Sequence, residues 1–167
     1  MRGLLGLPDP DDRLLLARLD RADDAAGHWR ELRAAGEALT AADRDVQWTP
    51  GGPGPDGTGR MPYPQYSEAL WRVVGALSAV GAVTPAYRWT DRPMPARQAD
   101  GRLTAADAVR AATAIARGER FRDGTIAAAA NSGMLDAVVA ALLAWYDEPA
   151  RGAPGSPSPG PGPTAAR

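Results

Sequence analysis

Apolar residues near the C-terminal end of the chain repeat with helical spacing, and this repeat limits the possible folds more than any other feature. Between Leu135 and Tyr146 they recur every three or four residues, which places them on one face of an α-helix. Met134 and Trp145 widen that face, so we expect the helix to be buried on more than one side. The stretch 117–146 is therefore predicted to be the packing spine of a helical domain.

The residues ahead of this repeat predict another helix and then a break. Asp123 precedes Gly124, and its carboxylate is expected to cap the free N–H groups of a helix start. A run of alanines follows, which favours helix. Residues 131–133, Asn-Ser-Gly, then predict a stop and restart, because Gly can close one helix and Ser can open the next. The alternative is one continuous helix with a face of small residues.

Four other segments carry helix signals, and no segment of useful length alternates polar and apolar residues as a strand does. The segments are a helix opened by Asp9-Pro10, a stretch over 24–42 that is either separate or a bent continuation, a helix opened by Ser67 and ended by Gly81, and a helix from the capping box at Thr104 to about Arg117. The predicted fold class is all-α, with a single compact domain of about four to six helices over residues 1–148.

Two stretches lack these signals. Residues 50–60 are rich in Pro and Gly and predict a long flexible loop, preceded by a short extended piece at 46–49. Residues 149–167 are Pro, Gly, Ser and Ala almost throughout, and they predict a disordered C-terminal tail.

Composition excludes several classes of function. The 167 residues include no Cys and one His, which leaves no thiolate or His-cluster metal site and no Cys nucleophile. No cofactor motif is present, so no cofactor, metal or catalytic residue is predicted. The N-terminus becomes acidic too soon for a signal peptide, and no stretch is long enough to cross a membrane. We expect a soluble cytoplasmic protein of unknown oligomeric state.

Charge is unevenly distributed along the chain. Residues 46–122 carry ten Arg against six acidic residues, whereas residues 1–45 carry seven against ten. The surplus is concentrated in the segment 88–122, which is one reason to consider nucleic-acid binding. The alternative is pairing with the acidic N-terminal helices of the same molecule. The net charge of −1 favours this alternative and makes nucleic acid a less expected partner.

Several motifs together resemble a small, largely actinobacterial family of unknown function. They are Met61-Pro62-Tyr63-Pro64 before a helix, a segment containing Trp89, Arg117-x-Glu119-Arg120-Phe121-x-x-Gly124, and Ser132-Gly133. The resemblance covers residues 28–146 and implies a fold without implying an activity. Thr125 stands where many members of that family have His, and Glu119 stands where Asp is usual.

The same motifs supply the candidate ligand-binding residues. Arg120, Asp123 and a helix start could form a pocket with Tyr63 and Trp89. The alternative is structural: Phe121 anchors the core, Asp123 caps the helix and Arg120 pairs with a carboxylate or a carbonyl. We favour this alternative because caps and ion pairs are commoner than functional sites.

Further candidates are Asn131 and the aromatic Tyr66. Asn131 and its neighbour Ser132 could line a pocket, but Ser132 has no partner to activate it and is more simply part of the helix break. Tyr and Trp residues that remain partly exposed would mark a contact surface.

The leading prediction is a non-catalytic helical interaction or regulatory module that binds a protein partner. A small-ligand-binding protein or enzyme with a pocket near Tyr63, Trp89 and Arg120 is the first alternative. Nucleic-acid binding through residues 88–122 is the second.

Overall fold

The chain is described by a computed structural model over residues 10–19 and 25–148. Over these residues the protein is mostly helical, with seven α-helices and four short strands. The helices are α1 (Pro10–Leu16), α2 (Ala26–Ala38), α3 (Ala41–Arg44), α4 (Glu68–Ala79), α5 (Ala105–Gly118), α6 (Thr125–Asn131) and α7 (Met134–Asp147). The strands are β1 (Gln47–Thr49), β2 (Gly52–Pro53), β3 (Gly59–Arg60) and β4 (Tyr63–Gln65). A 3-10 turn, Trp89–Asp91, lies between α4 and α5.

Helices α4 and α5 begin at the positions that their capping residues, Ser67 and Thr104, indicated in the sequence. The Ser67 hydroxyl accepts a hydrogen bond of 3.2 Å from the backbone N–H of Leu70 at the start of α4. The Thr104 hydroxyl accepts one of 3.1 Å from the backbone N–H of Asp107 at the start of α5. In both cases a side chain satisfies a backbone donor that lacks a partner in the first helical turn, so these helix starts are set by local sequence.

The predicted segment 24–42 is two helices. α2 ends at Ala38, and Thr40 opens α3 through a capping box in which its hydroxyl and backbone N–H are both paired with Asp43. α1 is separate from α2, so a single bent helix over the two N-terminal segments is wrong.

The break between α6 and α7 confirms the stop-and-restart prediction. Gly133 has a φ of +74°, a left-handed conformation that a residue with a side chain rarely adopts. The two helix axes meet at 78°. Among the described residues, no helix taken singly has the length and hydrophobicity to cross a bilayer, and the bent α6–α7 pair passes that test only when both members are counted together.

The expectation of a chain without strands is wrong. β1 pairs antiparallel with β4, placing Trp48 opposite Pro64 and Thr49 opposite Tyr63. β2 pairs with β3 within the predicted flexible loop, and a turn closes them with a 2.6 Å hydrogen bond from the backbone N–H of Gly54 to the carbonyl of Thr58. Pairing of β1 with β4 brings the loop ends together, and a Gly- and Pro-rich sequence can then form a narrow ribbon despite its low strand propensity.

The core is organised around α5 as much as around α7. α5 packs against α1, α6 and α7, and α7 also packs against α2. Most residues of α5 are buried, and many of these are alanines that let neighbouring helices approach closely. The packing spine predicted over 117–146 is therefore shared with the helix before it. Trp29 of α2 stacks on Tyr146 of α7, with ring centroids 4.5 Å apart.

A buried threonine fixes the chain after α4 to this core. Thr113 of α5 is fully buried, and its hydroxyl donates to the carbonyl of Ala82 at 3.2 Å. The same oxygen accepts a 3.1 Å hydrogen bond from the backbone N–H of Thr84. One hydroxyl thus satisfies two backbone groups that would otherwise be buried without partners.

Two predictions lie outside the described residues. They are the opening of the first helix at Asp9 and the disordered tail over 149–167.

Candidate recognition surface around the α5–α6 turn

The turn between α5 and α6 is built from backbone hydrogen bonds and one glycine. The backbone N–H of Arg122 donates to the carbonyl of Gly118 at 2.9 Å, which folds the chain back at the end of α5. Gly124 then takes a φ of +91° and begins α6. The Thr125 hydroxyl donates to the carbonyl of Arg122 at 2.8 Å. The turn is therefore held at both ends.

Glu119 supplies the N-terminal cap of α6. Its Oε1 atom accepts a 3.0 Å hydrogen bond from the backbone N–H of Gly124, and its Oε2 atom accepts one of 2.8 Å from that of Ile126. A carboxylate at the positive end of a helix is favourable both as an acceptor and as a charge. Asp123, the predicted cap, does not fill this role, because both capping hydrogen bonds go to Glu119.

Tyr66 shares the same carboxylate. Its hydroxyl donates to Oε1 of Glu119 at 2.6 Å, which ties the segment after β4 to the turn. Burial and this hydrogen bond to an anion raise the pKa of the Tyr66 phenol well above its ordinary value, so the hydroxyl keeps its proton at physiological pH. The Tyr66 ring also meets Trp71 of α4 edge to face, with centroids 5.2 Å apart.

Trp48 of β1 covers the start of α6. A Cβ atom on Gly124 would lie 2.5 Å from Cζ2 of Trp48, so the indole rests directly on the glycine. Position 124 thus requires glycine for two reasons: the left-handed backbone conformation and the Trp48 ring that leaves no room for a Cβ atom. The Trp48 side chain remains 46% exposed, which leaves much of the indole open to solvent.

Phe121 projects outward from the same turn. It is 80% exposed, so its prediction as a core anchor is wrong. Its ring meets that of Trp89 at a centroid distance of 5.8 Å, which links the turn to the 3-10 segment after α4. A phenylalanine this exposed contributes little to the core, and most of its ring is open to solvent.

A shallow groove lies beside the turn, between α4 and the end of α5. Its volume is about 440 Å³. Trp71, Val74, Val83 and Pro85 form apolar parts of its wall, and Arg117, Glu119 and Arg120 form its charged side. Neither Arg117 nor Arg120 makes an ion pair within residues 10–19 and 25–148. The groove therefore combines an indole, aliphatic side chains and two guanidinium groups. We call Trp48, Trp71, Phe121, Arg117 and Arg120 the aromatic–arginine surface.

Comparison with known proteins places most of this structure in one family. The Family of unknown function (DUF6508) matches residues 25–148. The chain belongs to this family. Searches of curated proteins and of solved structures each find no match. The DUF6508 domain thus includes α2 to α7 and the whole aromatic–arginine surface, whereas α1 precedes it. The predicted extent, 28–146, is close to the observed match.

Within the DUF6508 domain, the predicted ligand-binding residues do not all meet. Tyr66 lies under the turn, Trp89 lies against Phe121, and Arg120 lines the groove. Asp123 is exposed in the turn, and Asn131 is exposed at the opposite end of α6. Tyr63 alternates with Pro64 on β4, so it faces the side of the ribbon opposite Trp48.

Glu119 and Trp48 are among the residues of this site that sequence reasoning missed. Glu119 lies five and seven positions ahead of the N–H groups that it caps, too far for a capping rule to detect. The one available signal was the resemblance described above, which implies an acidic residue at this position. Trp48 gave no signal at all, because its contact with Gly124 depends on the pairing of β1 with β4.

Three of the eight arginines in the segment 88–122 make ion pairs within the described residues. Arg110 makes ion pairs with Asp12 of α1 and, at 3.0 Å, with Asp107. Arg92 lies 3.9 Å from Asp11, and Arg88 makes a 3.0 Å pair with Asp91. These contacts favour intramolecular pairing over a nucleic-acid interface for this half of the segment. Among the described residues, no group of three or more His, Cys, Asp or Glu is arranged to hold a metal ion.

Proposed function

We propose that the protein is a non-catalytic recognition module that binds a partner protein through the aromatic–arginine surface. The observation that carries the proposal is the exposure of three large aromatic side chains around one turn. Trp71 is 51% exposed in the groove next to this turn, Phe121 projects from the turn itself, and the exposed indole of Trp48 rests on Gly124. Tryptophan, tyrosine and arginine are the residues in which binding energy at protein interfaces is most often concentrated.

The rigidity of the turn supports this proposal. The partly buried side chains of Glu119 and Tyr66 and the backbone N–H of Gly124 fix the turn from which Phe121 projects. A surface held in place before binding loses less conformational entropy when a partner docks. Isolated exposed apolar residues are common on proteins, whereas aromatic residues grouped on a rigid frame mark an interaction site.

The chemistry of the groove suggests the kind of partner. Aliphatic walls and the Trp71 indole suit an apolar segment, and Arg117 and Arg120 suit a carboxylate on the same segment. The only acidic side chain in the groove, Glu119, is engaged by α6 and Tyr66. It is therefore poorly placed to act as a general acid or base, which favours recognition over catalysis.

The proposal is tested by affinity capture from native extract with matched variants. Trp71→Ala and Phe121→Ala should each reduce recovery of a specific partner by at least about tenfold, the effect of losing an interface hot spot. Glu37→Ala removes an exposed side chain from α2 and should leave recovery unchanged. Phe121 is exposed enough that its loss should change the free energy of unfolding by less than about 0.5 kcal/mol, which urea unfolding will verify.

Two results would count against this function. One is failure to recover any specific partner with the wild-type chain. The other is recovery that is equal for wild type, Trp71→Ala and Phe121→Ala, since the partner would then contact another surface.

A further inference from the structure

The first helix occupies a surface of the DUF6508 domain without belonging to the domain. α1 ends at Leu16, and the family match begins at residue 25. Its seven residues span roughly 10 Å, which is too short for a helix that is stable by itself in water. α1 therefore depends on what it packs against, namely α5.

The contact between α1 and α5 combines apolar burial with charge pairing. Leu15 and Leu19 are buried, and Asp12 accepts a hydrogen bond from the Arg110 guanidinium. The Asp11 carboxylate lies 3.9 Å from Arg92. Asp12 and Leu15 are three residues apart and share one face of α1, and Leu19 follows in the turn after the helix.

The receiving side of this contact is built by the domain itself. The Arg110 side chain is only 13% exposed, and Asp107 on the previous turn of α5 holds its guanidinium with a 3.0 Å hydrogen bond. Tyr87 is buried beside it. We call Tyr87, Arg92 and Arg110 the helix-docking site. Because Asp107 orients Arg110, the site presents a positioned cation next to an apolar floor whether or not α1 is the helix that fills it.

α1 fills this site incompletely. A groove of about 460 Å³ remains along it, lined by Leu14, Tyr87, Arg92 and Arg110 among others. Leu14 is 64% exposed at the edge of this groove. A longer amphipathic helix would cover more of the same surface than α1 does, and helices of this kind bind grooves through residues spaced three, four and seven apart.

We propose that the helix-docking site binds an acidic amphipathic helix of a partner protein and that α1 is its built-in competitor. The partner helix carries adjacent carboxylates for Arg92 and Arg110, followed by leucines at the spacing of Leu15 and Leu19. α1 is tethered by a short linker, so its effective concentration at the site is on the order of millimolar, and a partner must outcompete it. The helix-docking site is distinct from the aromatic–arginine surface, so either proposal can be refuted without the other.

The test measures binding of a fluorescent peptide with the sequence of residues 8–20 to the full-length chain by fluorescence anisotropy. Asp12→Arg with Leu15→Asp in the full-length chain weakens the internal competitor, and this variant should bind the peptide at least tenfold more tightly than wild type. Adding Arg110→Asp to the variant should abolish binding. Phe121→Ala in the same background should leave binding unchanged, which separates this site from the aromatic–arginine surface.

Equal binding by wild type and the Asp12→Arg/Leu15→Asp variant would overturn the proposal. So would no binding by that variant while it keeps its helical circular dichroism. Hydrogen exchange on the wild-type chain gives a second measurement that needs no variant. Amides of α1 should exchange much faster than those of α5, and excess peptide should accelerate exchange in α1. Protection of α1 equal to that of α5 and unaffected by peptide would contradict the proposal. A dimer by light scattering, formed by exchange of α1, would assign the site to a second copy instead.

Discussion

Replacing Glu119 with alanine removes the acceptor shared by Tyr66, Gly124 and Ile126. Loss of a helix N-cap costs about 1 to 2 kcal/mol. Loss of the Tyr66 hydrogen bond costs about 1 kcal/mol more, because its half-buried hydroxyl has no other acceptor in the turn. The free energy of unfolding should therefore fall by about 3 kcal/mol, or about 2 kcal/mol if water replaces part of the cap.

The assay is urea unfolding of the wild type and the variants. When their m-values are equal, a shift of the unfolding midpoint reports a change in stability alone. Glu119→Gln keeps one acceptor oxygen and should lose about half as much. The coupling energy between Glu119→Ala and Tyr66→Phe should be about 1 kcal/mol, the value of the shared hydrogen bond. Glu37→Ala, on the exposed face of α2, is the control and should stay within about 0.5 kcal/mol of wild type.

A loss below about 1 kcal/mol for Glu119→Ala would refute this account of the turn, since that is the cost of a single ordinary contact. Coupling of zero between positions 119 and 66 would show that Tyr66 is positioned by packing alone.

Three further predictions concern the frame of the site and the core. Gly124→Ala should cost at least about 2 kcal/mol in urea unfolding, from its positive φ and the clash with Trp48, whereas Gly57→Ala should cost only the conformational part because nothing lies within 4 Å of its Cβ position. Thr113→Val should cost about 2 kcal/mol because it orphans two buried backbone groups. Because the pKa of Tyr66 is raised in the folded state, its contribution to stability is complete below the unfolded pKa of about 10. As the pH rises above about 10, the free energy of unfolding should fall, by less than the ~1.4 kcal/mol per pH unit that the release of one full proton would give. Tyr66→Phe should lack this component of the pH dependence.

Each of these has a clear contrary outcome. Equal losses for the two glycine variants would mean that the Trp48 contact is unimportant. Stability of Thr113→Val equal to wild type would mean that the loop 82–84 is held by packing. An identical alkaline slope for wild type and Tyr66→Phe would assign the titration to other groups.

Features set by neighbouring residues could be predicted from the sequence. Ser67 and Thr104 cap helices within three positions of themselves, and Gly133 closes a helix through its own backbone, so each works whatever the rest of the chain does. The helical repeat of α7 likewise depends only on spacing. These local signals account for the mostly helical fold.

Features that depend on tertiary contacts could not be predicted in this way. Glu119 reaches its N–H partners only after the chain has turned, and Trp48 reaches Gly124 only after β1 has paired with β4. Phe121 was misplaced because apolar character predicts burial only on average, and a turn at the end of a helix can direct a side chain outward. The sequence therefore indicated the turn after α5 but not the tertiary contacts that build it.

The central claim, that the aromatic–arginine surface contacts a partner protein, is tested most directly by photo-crosslinking in living cells. A benzophenone amino acid is placed at position 121, in the exposed turn, and separately at position 28 on the exposed face of α2. The account predicts a discrete crosslinked species from position 121 that is absent from position 28 and is lost when Trp71→Ala is added. Absence of any crosslink from position 121, or an equal one from position 28, would contradict it.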